Sequence, residues 1–158
     1  MEALIPIQRE ALDTIARLNN LHVIELSWLD REQLWHLVQT AYYARMTPSG
    51  SAFLIALAPE ADYDSPNFLR FRNRIDRFIY IDRIAVAPEA RGRGLARALY
   101  ADLFSQAARD GHTIICCEVN LDPPNLRSDT FHAALGFQDD GHATIPSGKT
   151  VRYLIKTI

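Results

Sequence analysis

Apolar residues along this chain recur first with the period of a helix and later as the short continuous runs of buried strands. From Ile7 to Asn19, Ala11, Leu12, Ile15 and Leu18 fall on one helical face while Arg9, Asp13 and Arg17 turn away, which predicts an amphipathic helix. A second helix follows, with Ser27 or Asp30 as its N-cap. Leu34, Leu37, Val38 and Ala41 form its buried stripe, Trp28 and Trp35 are its core anchors, and Pro48 bars continuation. Ala52 to Ala58 reads as a buried strand closed by Pro59.

Glu60 to Asp76 is polar and then mixes aromatics with arginines. It reads as a surface insertion with a short helix opened by Ser65-Pro66. Phe78 to Val86 is nearly continuously apolar, as a strand buried on both faces should be, and Asp82 and Arg83 interrupt it. After a turn at Ala87 to Arg93, Leu95, Ala98, Leu99, Leu103 and Ala107 predict a helix ended by Gly111. Thr113 to Val119 is the next strand. Asn125 caps a helix carrying Leu126, Phe131, Ala134 and Leu135, which Gly136 ends. The tail reads as a hairpin turning at Ser147-Gly148, with its last strand from Thr150 to Ile155. This order predicts a mixed α/β sheet in which Phe78 to Val119 forms a parallel strand-helix-strand crossover.

A chain of 158 residues with 48% apolar and 23% charged residues fits one domain, residues 1–158, and no repeat or linker argues for a second. The net charge of -2 and the absence of any basic run argue against nucleic acid as a partner. No apolar run approaches the roughly 20 residues needed to span a bilayer, and Met1 to Glu10 lacks the pattern of a secretion signal, so a cytoplasmic protein is expected. Cys116 and Cys117 are adjacent and read as buried reduced thiols. The five histidines lack the spacing of zinc sites, and no metal is expected.

The segment Arg91-Gly92-Arg93-Gly94-Leu95-Ala96 lies where a buried strand gives way to a helix. A helix N-terminus presents unpaired amides and about half a positive charge. Gly92 and Gly94 let the backbone approach an anion closely, and Arg91 and Arg93 add charged donors, so a diphosphate ligand is the natural expectation. No Gly-Lys-Ser/Thr follows, which excludes a Walker phosphate loop. A dinucleotide fold fits in part, because Glu118 ends the next strand, but Arg97 stands where the third glycine belongs.

Arg91-x-x-Gly94-x-Ala96 resembles the Gln/Arg-x-x-Gly-x-Gly/Ala signature of the GNAT N-acetyltransferase superfamily. The lead-in from Tyr80 to Ala90 is similar to that family's fourth strand and turn, and Asn125-x-x-Ser128-x-x-Phe131-His132-x-x-Leu135-Gly136-Phe137 resembles its fourth helix. The run from Glu118 to Pro124 looks like a poorly characterised bacterial branch. The resemblance implies a mostly antiparallel mixed sheet with helices on both faces. It also implies acetyl-CoA as cosubstrate, its pyrophosphate held by Arg91, Gly92, Arg93, Gly94, Leu95 and Ala96. Backbone groups of Ile84, Ala85 and Val86 would then pair with the pantetheine arm, which Asn125 also contacts. Many members of the superfamily pair as dimers, so a homodimer is a further expectation from the resemblance.

Acetyl transfer to an amine needs a neutral nucleophile, a stabilised oxyanion and a proton for the departing thiolate. Many GNAT enzymes place a tyrosine after the helix phenylalanine as that proton donor, whereas this chain has His132. An imidazolium with a reference pKa of about 6.5 is acidic enough to serve, and the alternatives are a packing histidine and protonation by water. Glu118, at the carboxyl end of its strand, is a candidate general base or an orienting carboxylate. In the insertion, Asp62, Tyr63, Asp64, Asn67, Phe68, Phe71 and Arg72 either close over an acceptor or form a solvated linker. The reading that results is an N-acetyltransferase acting on a primary amine of a small molecule or a protein. A CoA-binding module without catalysis and a nicotinamide-dependent oxidoreductase stand as alternatives.

Overall fold

The computed structural model describes residues 3–158. A seven-stranded sheet runs through its centre in the order β1-β2-β3-β4-β5-β7-β6. Its strands are β1 (Ile5–Pro6), β2 (Tyr43–Met46), β3 (Ala52–Leu57), β4 (Ile79–Val86), β5 (Ile114–Asp122), β6 (Gln138–Thr144) and β7 (Thr150–Thr157). The helices are α1 (Leu12–Asn20), α2 (Arg31–Thr40), α3 (Pro66–Arg72), α4 (Leu95–Arg109) and α5 (Leu126–Ala134).

Strand alternation divides the core in two. On one face Phe53, Ile55, Leu57, Tyr80 and Tyr153 meet Leu12 and Ile15 of α1, Leu34 of α2, and Phe68 and Phe71 of α3. On the other, Leu54, Ala56, Ile79, Ile81 and Ile115 meet Leu99, Tyr100 and Leu103 of α4, with Phe131 and Leu135 from the region of α5. Each such fully buried aliphatic or aromatic side chain contributes about 1.5–3 kcal/mol. The sheet is mixed and mostly antiparallel. Its parallel pair, β4 with β5, is joined through α4, the crossover read from the pattern. Among the described residues there is no open parallel sheet of the dinucleotide-binding kind, so the oxidoreductase reading loses its fold.

Three expectations need correction. The second helix ends at Thr40, and Tyr43–Met46 is a strand rather than helix continuing toward Pro48. Asp30 alone caps that helix, accepting from Gln33 N at 2.8 Å in a reciprocal capping box, so Trp28 precedes the helix and is 60% exposed rather than a core anchor. The segment between β3 and β4 is no surface insertion either. Phe68 and Phe71 are fully buried, because α3 lays its aromatic face on the sheet.

No helix among the described residues is long and apolar enough to cross a membrane. Cys116 and Cys117 are buried free thiols, and burial pushes both well above the usual thiol range.

Candidate active site

β4 and β5 pair only at Ile79 with Ile115 and at Tyr80 with Cys116. Beyond that step both strands continue, to Val86 and Asp122, without pairing to each other. Backbone groups on the β5-facing edge of β4 therefore have no strand partner. A cavity of about 960 Å³ opens at this place, lined along β4 by Ile84, Ala85 and Val86.

The floor of the cavity continues onto the turn before α4. Gly92 and Gly94 adopt φ of +79° and +74°, a left-handed conformation that glycine tolerates and L side chains resist. A Cβ at either position would meet nothing within 4 Å, so the corner is not filled by the protein's own side chains. The first α4 bond in the ladder joins Ala98 N–H to Gly94 O at 3.0 Å, and the amides of Leu95, Ala96 and Arg97 precede it. No acidic residue sits in the first turn and no side chain caps it, so nothing offsets the positive end of the helix dipole there. Arg91, Gly92, Gly94, Leu95, Ala96 and Asn125 line the cavity together with the three β4 residues. Arg93 is the exception among the candidates: its guanidinium reaches Glu89 O at 3.4 Å. Asn125 caps α5 as expected, accepting from Ser128 N at 3.2 Å.

A second, smaller cavity of about 90 Å³ lies between β4 and β5 and shares Glu25, Leu26, Ile84, Asn125, Ser128 and His132 with the larger one. Glu118 and His132 both line it. His132 is 4% exposed and both ring nitrogens are engaged. Nδ1 lies 2.7 Å from Ser128 O, an atom that only accepts, so Nδ1 carries the proton. Nε2 lies 2.7 Å from the Tyr100 hydroxyl and accepts from it. Burial lowers the pKa of His132, against opposing effects of the Ser128 carbonyl and Asp129. Its surroundings thus favour the neutral ring over the imidazolium invoked from the sequence.

Glu118 is held from one side of its carboxyl group. The Tyr80 hydroxyl lies 3.0 and 2.8 Å from its two oxygens, and Asn67 Nδ2 donates to Oε1 at 3.1 Å. Asn67 in turn accepts from the Tyr153 hydroxyl at 2.9 Å. Burial pushes the carboxyl up to about 8; Tyr80, Asn67 and Arg83 oppose this and Asp82 adds to it.

The sequence reading missed the segment between α1 and α2, which supplies His22, Glu25 and Leu26 to the cavity walls. Side chains fix it from several directions. Asn19 Nδ2 donates to Ser27 O at 2.9 Å, Asn20 bonds the backbone of Leu29 in both directions, and Asn120 and Lys149 both donate to Ile24 O. The Asn19-Asn20 pair followed by an aperiodic stretch up to Asp30 was the available signal. From the segment between β3 and β4, Tyr63 donates to Asp82 at 2.7 Å and Asn67 reaches Glu118, so that segment does supply groups behind the cavity.

The architecture is the GNAT acetyltransferase fold: a mixed sheet opened between β4 and β5, with a left-handed glycine turn at the start of α4. Residues 66–137 match the family described as Acetyltransferase (GNAT) family. Among curated proteins no sequence relative matches the chain. Among solved structures it is similar to Ard1 from Thermoplasma volcanium, at 12% identity and a TM-score of 0.76, covering 99% of this chain and 97% of that one. It is similar to Naa50 of Arabidopsis thaliana in complex with the bisubstrate analogue CoA-Ac-MVNAL, at 12% identity and a TM-score of 0.73, covering 99% and 98%. YncA from Salmonella typhimurium with its cofactor acetyl-CoA matches at 15% identity and a TM-score of 0.72, covering 99% and 94%.

Proposed function

We propose that this protein transfers the acetyl group of acetyl-CoA directly to a primary amine within a ternary complex. The observation that carries the reading is a pair of adjoining cavities that share six lining residues. The larger follows the uncapped, glycine-lined start of α4 and the unpaired edge of β4, and the smaller is lined by Glu118. A long ligand with an anionic middle and an amide-containing arm fits such a path, and two of the similar structures hold acetyl-CoA or a CoA conjugate.

In this reading the amides of Gly94, Leu95 and Ala96, with Arg91 and Gly92, hold the pyrophosphate. The edge of Ile84, Ala85 and Val86 pairs with the pantetheine arm, assisted by Asn125. A backbone N–H of that edge polarises the thioester carbonyl and receives the oxyanion. Glu118, as carboxylate, takes a proton from the acceptor ammonium, directly or through water, and the neutral amine attacks the carbonyl carbon. The C–S bond breaks as the amide forms, the attacking nitrogen gives up its second proton to water, and the CoA thiolate takes a proton from that water. His132 stays neutral and orients Tyr100.

The acceptor is a primary amine of a small molecule or of a polypeptide. The Naa50 complex carries a peptide-derived analogue, which makes a peptide α-amine the first acceptor to assay. Incubation with acetyl-CoA, peptides and small amines, read by thiol release, tests the proposal. Turnover with any amine supports it. Tight CoA binding without turnover across the panel overturns it in favour of a binding module.

A further inference from the structure

Glu118 stands half-buried on β5, between the helix-α3 side of the sheet and the small cavity, and three side chains from three different elements converge behind it. Tyr80 comes from β4, Asn67 from α3 and Tyr153 from β7. All three are themselves buried: Tyr80 is fully enclosed, Tyr153 is 3% exposed and Asn67 7%. Their polarity is ordered in a single direction. Tyr153 donates its hydroxyl to Asn67 Oδ1, and the other end of that amide presents Nδ2 toward Glu118. Tyr80 adds its hydroxyl to the same carboxyl group. Tyr80 and Asn67 donate to the carboxyl group and Tyr153 donates to Asn67 behind them, which is the arrangement that stabilises a carboxylate and fixes where its free lone pairs point.

Other titratable and charged groups face Glu118 from each packed element. They are Asp82 and Arg83 of β4, Cys116 and Cys117 of β5, Tyr100 of α4, His132 of α5, and Glu25 from the segment before α2. Asp82 is already neutralised by Arg83 at 2.7 Å, Tyr100 is committed to His132, and the thiols are held neutral by burial. The groups left to decide the charge of Glu118 by direct contact are Tyr80 and Asn67.

We propose that Tyr80 and Asn67, with Tyr153 behind Asn67, are positioning residues that keep Glu118 available as a carboxylate aimed into the cavity between β4 and β5. The proposal rests on the reading of Glu118 as the base, and it assigns the device that makes a base of a carboxyl group in so enclosed a place. Against the burial that pushes the group up to about 8, the donors act in the opposite direction, so removing one raises the midpoint further.

The test is a carbon-13 NMR titration of the full chain labelled at glutamate, with the Glu118 carboxyl signal assigned by its loss in Glu118→Gln. Tyr80→Phe should raise the Glu118 midpoint by about one pH unit. Tyr153→Phe, which only frees the Asn67 amide, should raise it by less. The acidic limb of kcat/KM should move by the same amounts in both variants. A group with a merely structural role would change melting temperature or overall rate without moving either midpoint. Midpoints unchanged in both variants, with circular dichroism showing them folded, overturn the proposal. Should Tyr80→Phe fail to fold, Tyr153→Phe decides alone. Because the NMR titration needs no substrate, it decides this proposal even in a protein that shows no acetyl transfer.

Discussion

Asp82 and Arg83, neighbours on β4, turn their side chains to the same side of the sheet and pair at 2.7 Å. Adjacent strand residues normally face opposite ways. The exception arises because Ile55 is paired with Arg83 and Ala56 with Ile81, so Asp82 is the extra residue of a β-bulge. Arg83 then reaches Asn19 Oδ1 at 2.9 Å, Ser27 O at 3.2 Å and Ser27 Oγ at 3.2 Å, tying the segment after α1 to the central strand. Replacing Arg83 with Leu leaves the Asp82 carboxylate buried without its cation. The expected loss is about 3–5 kcal/mol in denaturant unfolding, with faster amide exchange across residues 21–29.

Gly94→Glu places a carboxylate where the open side of the α4 corner lies. The left-handed φ makes any side chain there cost about 1 kcal/mol, but the added Cβ meets no neighbour, so the fold should persist. The parent protein should gain melting temperature with CoA, and the variant should not, with affinity by calorimetry weakened more than about tenfold. Retained CoA affinity would dissociate this corner from the phosphate site.

The pH dependence follows from Glu118, whose carboxyl burial pushes up to about 8. In the proposed role of base it works deprotonated, so kcat/KM should rise with pH through about 8 and then level. Glu118→Gln should remove that limb and lower the plateau by about a hundredfold. Stability should respond in the opposite sense. A carboxyl whose pKa is higher folded than unfolded favours the fold most below its ordinary value of 4.5, and that contribution is lost as pH rises through about 8. Thermal melts should therefore show Glu118→Gln gaining on the parent between mildly acidic and alkaline pH.

His132→Asn is expected to lower kcat by less than about tenfold, because a neutral ring already bonded at both nitrogens has no proton to release toward a thiolate. A loss of about a hundredfold or more, with an alkaline limb that disappears in the variant, would restore this histidine as the acid.

The crossover, the glycine corner before α4 and the Asn125 cap were legible because each is written in local residues: a continuous apolar strand, glycines next to arginines, an asparagine just before a helical stripe. The early part of the chain was less legible. Ala41, Tyr42 and Tyr43 prolong the apolar spacing of α2, so the short strand from Tyr43 to Met46 was hidden behind a helical period that tertiary pairing with β3 overrides. Trp28 looked like a core anchor for the same reason. Asn67 gave no signal of its own, since its partner Glu118 lies 51 positions away and only the packing of α3 on the sheet brings them together. Glu118 itself was singled out by its place near a strand end, but nothing local announces the hydroxyls and the amide that surround it.

The gap between β4 and β5 means that this protein keeps an unfinished ladder in its middle as well as at its rims. At a rim, bare backbone edges invite other chains to add themselves. Enclosed between α4, α5 and the segment before α2, the same edge is out of reach of a passing strand yet open to a slender guest threaded from the side. Such a guest would serve as the absent rung.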